Sequence, residues 1–551
     1  MKRFLFYILA AMTLVACNID EDLTTPLKPS ISIEQNRYRL KVGQSVELTA
    51  EVENVDQQTT YSWSSQGVVL SSSKSYRFEA VQEGTFLITL TVSNSAGSVS
   101  VDFRIDVSKI APPVVCFAVG EDKIFQMVVG RSYRLLPDVE SASEKSLKWV
   151  LDGKNVGDGE SLELKFDQVA DHTLSLVAEN EDGRGECQIS LSVRTHVGNM
   201  LHIDTERHVA LGRTLYLEPT MWDEDQASFE WRMGGELLGT EQLLKFTPSA
   251  EGEYQISLKA TANGHTEQRT ISVVCHPSEV TAMRQMGAMS QKACNKVYSY
   301  TPAAGQFINE KESGFAGEST PEAAVAYAEK RLSAGRYLSL GAWGGEIVVG
   351  FDHSVKEGFR IGGNFYEGSS EAGIVWVSQD TNGNGQPDDE WYELRGSEWE
   401  GVTHSRLHAI TYFAAEDGKN ILWRDNKGQT GCVYRNGTHT QPNYFPQWIA
   451  DRSYTLYGSQ LAPNTVREQS GKYVNRAYAW GYADNNGEDA ALGNESGEGC
   501  SCVFKIENAV NPDGSAADLL YIDFVKVQSA ICHTAGELGE ISTEVTQIEA
   551  L

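Results

Sequence analysis

The first half of this chain repeats itself, and that constrains its fold more than any other feature. KVGQSVELTAEV from Lys41, VVGRSYRLLPDV from Val128 and ALGRTLYLEPTM from Ala210 share one pattern, each followed by a single tryptophan: Trp63, Trp149 and Trp231. From Gly43, Gly130 and Gly212 the tryptophan lies 20, 19 and 19 positions on. Phe78, Phe166 and Phe246 come next, and each unit closes on an alternating run: FLITLTVSN from Phe86, TLSLVAEN from Thr173 and YQISLKATAN from Tyr254. Period-two alternation between Gly, Asn and Asp turns predicts short strands with one buried face. The expected arrangement is a tandem array of small sandwiches, with each recurring tryptophan beneath both sheets.

The units resemble PKD or bacterial Ig-like modules, with domain bounds 29–108, 112–194 and 195–276. None carries His or acidic residues at a metal or catalytic spacing. They are expected to act as a stalk for the rest of the chain, with three glycan-binding modules as the alternative. After Pro277 the pattern changes. STPEAAVAYAEKRL from Ser319 places Pro near the first turn after a Ser/Thr cap, then good helix formers. Strand-like runs with Gly-rich turns come after it, among them AGIVWVSQD from Ala372 and LLYIDFVKVQSA from Leu519. The expected fold is all-β: three sandwiches, then a larger sandwich or jelly roll over 280–551 with one clear helix.

The N-terminus, MKRFLFYILAAMTLVAC, has Lys2 and Arg3 before an apolar stretch of about 12 residues, too short to span a bilayer as a helix. Leu14-Val15-Ala16-Cys17 resembles a bacterial lipobox, which predicts cleavage after residue 16, lipidation of Cys17 and an acidic linker to residue 28. Asp20, Glu21 and Asp22 resemble the export tag of Bacteroidetes surface lipoproteins, so an outer-membrane, cell-surface location is expected. A formal net charge of -29 argues against nucleic acid or anionic lipid as partners. Besides Cys17 there are eight cysteines with no C-x2-C pair, which disfavours structural zinc. The expected compartment permits disulfides, without fixing their connectivity.

DTNGNGQPDDE, from Asp380, is the richest local motif. Asp380, Asn382, Asn384 and Asp388 stand at positions 1, 3, 5 and 9 of a calcium-loop spacing, the Gln386 carbonyl at position 7, and Asp389 or Glu390 is placed to close the shell. Gly383 and Gly385 let the loop curl. The pattern resembles EF-hand and dockerin loops without their flanking helices or a Glu at position 12; a metal-free Asx-turn loop is the alternative. Asp388 and Asp389 make a poor acid/base pair, because neighbours in sequence point apart. H-E-x-x-H, G-x-S-x-G and P-loop motifs are missing, and no enzymatic activity is expected. His404 and His408 read as structural.

Two aromatic segments suggest a ligand surface. NGTHTQPNYFPQWI from Asn436 contributes His439, Asn443, Tyr444, Phe445 and Trp448, in a Pro-interrupted stretch that cannot be a central strand. NRAYAWGYADNNGED from Asn475 contributes Asn475, Tyr478, Trp480, Tyr482 and Asn485, with the rings on alternate positions. Aromatic rings with amide neighbours suit flat or ring-shaped ligands.

GGNFYEGSSEAGIVWVSQDTNGNGQPDDEWYELRGSEW from Gly362, with IDFVKVQSA from Ile522 and GELGEISTEV from Gly536, resembles the C-terminal domain of PKD-repeat surface lipoproteins of Bacteroidetes. The resemblance covers most of 280–551, and some members of that group are cobalamin-capturing (BtuH-class) lipoproteins. It implies capture of a small ligand, a corrinoid first, for delivery to a TonB-dependent outer-membrane transporter. A glycan-binding lipoprotein of a polysaccharide-utilisation system is the alternative.

Overall fold

Alternation produces the same object three times. The computed structural model describes residues 27–109, 111–141, 143–223, 226–493 and 499–551; Cys17 and the acidic run after it lie outside them. In the first repeat one sheet runs Arg37–Lys41, Gly97–Ser108, Gly84–Asn94, Thr60–Ser65, Val68–Ser71 in spatial order. Its first strand pairs parallel to its neighbour and the others are antiparallel. The shorter pairs Ser45–Leu48 with Tyr76–Glu79 and Ser30–Ser32 with Glu51–Glu53 accompany it. The sheets beginning at Ile124–Val128 and Glu206–Ala210 have the same order and the same parallel pair.

The three tryptophans are fully buried. Each indole N–H donates to the carbonyl ten residues on: Ser73 at 2.9 Å, Gly159 at 2.8 Å and Glu241 at 2.9 Å. The register of the edge hairpin shifts directly after each tryptophan. A buried indole needs an acceptor, and this repeated turn supplies one. Truncating any of the three to alanine would cost ~3–5 kcal/mol. The fixed glycine-to-tryptophan spacing thus encodes a core ring together with its hydrogen bond.

The chain forms two compact units, Met1–Pro112 and Pro113–Leu551. The second and third repeats therefore belong to one body with the C-terminal domain, which corrects the expectation of three repeats as a stalk. The hairpin Ile421–Asp425 and Thr430–Val433 fastens them. On the second repeat, Arg134 N donates to Gly428 O at 2.9 Å and Leu136 N to Thr430 Oγ1 at 2.9 Å. On the third, Arg424 pairs with buried Asp223 at 2.5 Å and Asn426 Nδ2 donates to Met221 O at 2.9 Å.

The C-terminal domain is built on a six-stranded sheet ordered Lys296–Thr301, Glu346–Val355, Ile522–Ser529, Gly373–Ser378, Trp391–Leu394, Ala509–Val510. On one face lie the helix Pro321–Ser333 and a four-stranded sheet containing Gly358–Gly362 and Ser501–Lys505, around Val349, Phe359, Val375, Val525 and Ile548. The helix starts as its sequence predicts, with Thr320 Oγ1 accepting from Ala323 N at 3.2 Å and Pro321 in the first turn. On the other face lies a second four-stranded sheet, containing His404–Phe413 and Ser453–Leu461. Gln528 Nε2 donates to Tyr457 O at 2.9 Å and Trp343 Nε1 to Ser459 O at 3.0 Å across that gap. The central strand Ile522–Ser529 is consequently buried on both faces, giving three sheets stacked where a two-sheet sandwich or jelly roll was expected. The eight cysteines from Cys116 to Cys532 are all free thiols.

Candidate metal loop and ligand groove

The loop after the strand Gly373–Ser378 folds on its own side chains. Asn384 N donates to Asn382 Oδ1 at 2.9 Å, Gln386 N to Asn384 Oδ1 at 2.7 Å, and Gly385 N to Asp380 Oδ2 at 3.0 Å. The amides of Asn382 and Asn384 donate to the two Asp388 oxygens at 2.9 and 2.8 Å. Gly383 and Gly385 both take a φ of 70° with open space around them, which a side chain would strain. Asp380 is 1% exposed and its Oδ1 has no hydrogen-bond partner. Burial raises its pKa, and nearby Asp523 adds to the effect. The orphaned buried Oδ1 of Asp380, in a loop rich in Asn and Asp oxygens, fits a hard divalent cation, while the Asn–Asp388 bonds are those of the metal-free Asx-turn alternative.

The proposed closing ligands point elsewhere. Asp389 accepts from Thr381 N at 3.1 Å and from the Thr381 hydroxyl, and burial pushes its pKa up to about 7. Glu390 forms a buried ion pair with Arg207 of the third repeat. Glu390 is thus an anchor between domains and not a ligand; its partner lies too far away in sequence to be read from the loop.

The aromatic segments also need correction, because they do not form one ligand surface. Tyr444 and Phe445 are buried with Trp343 and Tyr412, Trp448 with Tyr300 and Phe315, and Tyr478 and Tyr482 with Ala372 and Ile531, in three different clusters. Their polar ends are satisfied internally. Tyr444 OH donates to His439 O at 2.8 Å, Tyr478 OH to Ala462 O at 2.5 Å, and Tyr482 OH accepts from Glu398 N at 3.1 Å. His439 pairs with Glu310, and Asn443 Nδ2 donates to Ala415 O at 2.9 Å. Buried Asn475 and Asn485 contact Thr465 and Tyr478. Trp480 is half-buried. Away from these residues, His404 bonds Glu393 at 2.8 Å, while His408 is buried with both ring nitrogens unpartnered.

Asn443 and Phe445 line only a small pocket of about 190 Å³, and a larger concave surface is lined by none of these residues. A groove of about 960 Å³ lies between the helix Pro321–Ser333, the strand Lys296–Thr301 and the last strand, Gln547–Ala550. Val297, Val325, Ala326 and Ile548 form apolar wall; Gln291, Asn295 and Gln547 bring amides, Ser333 a hydroxyl, and Glu329 and Lys330 charges. The helix itself was legible. Its outward stripe, Glu322, Ala326, Glu329 and Ser333, is that of any exposed helix face, so no sequence signal marked the groove.

Residues 26–94 match the PKD-like domain family. Among solved structures the chain is similar to the I-band fragment of titin, at 14% identity over 45% of this chain and 99% of that one, TM-score 0.23. It is also similar to immunoglobulin domains of Sidekick-1, at 15% identity over 50% and 77%, TM-score 0.25. The insect immune protein hemolin is similar at 13% identity over 49% and 80%, TM-score 0.22. No curated protein matches the chain. No helix among the described residues is long and apolar enough to cross a membrane. The common strand order extends the PKD-like description of the first repeat to the second and third, so the chain carries PKD/Ig-like sandwich repeats followed by a layered β domain.

Proposed function

We propose that this is a non-catalytic, surface-anchored binding protein that captures a small amide-bearing ligand, a corrinoid, for a TonB-dependent outer-membrane transporter. Lipidated Cys17 holds it to the outer membrane, and calcium bound by Asp380, Asn382, Asn384, Asp388 and the Gln386 carbonyl braces the Asp380–Glu390 loop. The observation that carries the reading is the groove beside the helix. A corrinoid is a large, partly apolar disc edged with amide side chains, and it needs aliphatic walls with amide and hydroxyl partners at the rim. Val325, Ala326 and Ile548 supply the first, and Gln291, Asn295, Gln547 and Ser333 the second. This moves the site away from the aromatic segments, whose rings are committed to the core.

Calorimetry of the full chain with cyanocobalamin tests the reading, with Ala326→Trp as the blocking variant. Ala326 is exposed, so the new ring fills the groove without entering the core. Binding should weaken by roughly thirtyfold or more, equivalent to ~2 kcal/mol. Absence of heat with cobalamin, alongside binding of the unaltered chain to a glycan array, would establish the glycan-binding alternative.

A further inference from the structure

Away from the Asp380 loop and the groove, three carboxylates meet inside the C-terminal domain. Glu371 lies two residues before the strand Gly373–Ser378, Asp484 lies two residues after Tyr482, and Glu544 opens the short strand Glu544–Val545. One oxygen from each lies within 4.8 Å of the others. Asp484 and Glu544 are each 1% exposed. The charged groups that act most on Glu371 are Glu544, Asp484 and Glu540, all of its own sign.

Neutral donors satisfy only some of this cluster. Asp484 accepts from Asn364 N at 2.9 Å and from Glu544 N at 3.0 Å. Glu544 Oε1 accepts from Ser542 Oγ at 2.5 Å, and Glu371 Oε1 from Asn475 Nδ2 at 3.3 Å. Glu544 Oε2 is buried with no donor at all. The Asn364 amide lies 3.2 and 3.3 Å from the Asp484 oxygens. With its nitrogen turned toward them it donates to both.

Two buried carboxylates and a partly buried third, without a counter-charge, are costly to leave bare. They must share protons or enclose a cation. Three oxygens that all lie within 4.8 Å of one another share a centre no more than about 2.8 Å from each, close to the calcium–oxygen range of about 2.3–2.6 Å.

We propose that Glu371, Asp484 and Glu544 enclose a hard divalent cation in a site separate from the Asp380 loop. The ion ties the Asn475–Asp489 segment and the end of the chain to the central sheet. Buried Asn475, which sequence reasoning assigned to a ligand surface, then serves this cage by positioning Glu371.

The test is metal retention by the full chain, incubated with calcium, magnesium and manganese, desalted and analysed by mass spectrometry. With Asp380→Ala and Asp388→Ala removing the loop ligands, one ion per chain should remain, and Glu544→Gln should remove it. In the otherwise unaltered chain, Glu544→Gln should lower retained metal by one ion per chain. Glu371→Gln is the second variant with the same readouts. Because either amide takes away one buried charge, each should raise the Tm in chelator while abolishing the rise caused by this ion. Retained metal unchanged by either amide, with a Tm gain that is equal with and without the cations, would mean that the cluster shares protons, and the site would be overturned.

Discussion

Replacing Arg424 by alanine removes one of the fastenings between the C-terminal domain and the third repeat. Its guanidinium reaches Asp223 at 2.5 Å, where the Asp223 side chain is 4% exposed and that of Arg424 15%. It also lies 4.7 Å from the Phe125 ring centroid, in the second repeat. Removing one partner of a buried pair costs ~3–5 kcal/mol, because the remaining carboxylate stays buried. Asp223 Oδ1 already lacks a partner, so little is left to absorb the loss. If Pro113–Leu551 melts as one cooperative body of about 440 residues, its unfolding entropy is roughly 0.9 kcal/mol per K. A loss of ~4 kcal/mol then lowers the Tm by about 4 °C. Differential scanning calorimetry of the full chain should show one dominant transition for this body, shifted down by that amount or split by Arg424→Ala. Arg424→Lys, keeping the charge but losing the fork, should fall between. An unchanged transition in Arg424→Ala, or separate melting of the repeats in the unaltered chain, would refute the reasoning.

His408 is held neutral, its pKa driven by burial to about 3. Its contribution to stability is therefore present above the unfolded value of about 6.5 and is lost as pH falls below it, at ~1.4 kcal/mol per pH unit. Denaturant midpoints from pH 6.5 to 4.5 should fall less steeply for His408→Leu; identical slopes would remove the argument. Gly345 has no room for a side chain, since a Cβ there would sit 1.8 Å from Leu340 O and 2.4 Å from Ala303 N. Gly345→Ala should lower stability by ~3 kcal/mol or more in chemical denaturation, and a loss under 1 kcal/mol would show that the turn can open.

What could be read from the sequence was what neighbouring residues decide. The repeats, their tryptophans and the capped helix rest on spacings of a few to about twenty positions, and the structure agrees with them. The third sheet could not be read this way, because burial of Ile522–Ser529 on both faces depends on Tyr457 and Ser459 arriving from elsewhere. The same limit hid the union of the repeats with the C-terminal domain, where Arg424 meets Asp223 and Arg207 meets Glu390 across about 200 residues. Aromatic segments misled for a different reason. Polar flanks and prolines suggested exposure, yet tyrosines can be buried whole when a nearby backbone group takes the hydroxyl, as Ala462 does for Tyr478. Glu371, Asp484 and Glu544 are separated by 113 and 60 positions, and no local motif could have joined them.

The parallel pairing in each repeat has a consequence for a chain pulled along its length. Arg37–Lys41 lies beside Arg104–Ser108 over five register positions, and Ile124–Val128 and Glu206–Ala210 are held likewise beside the last strands of their repeats. The strand near each repeat's start and the strand at its end are thus adjacent and point the same way. A pull on the two ends of a repeat drags these strands past each other along their length, loading all the bonds between them together. An antiparallel hairpin pulled from its open end would instead lose its bonds in succession, each carrying the load alone. The arrangement turns each sandwich into a shear-loaded clasp.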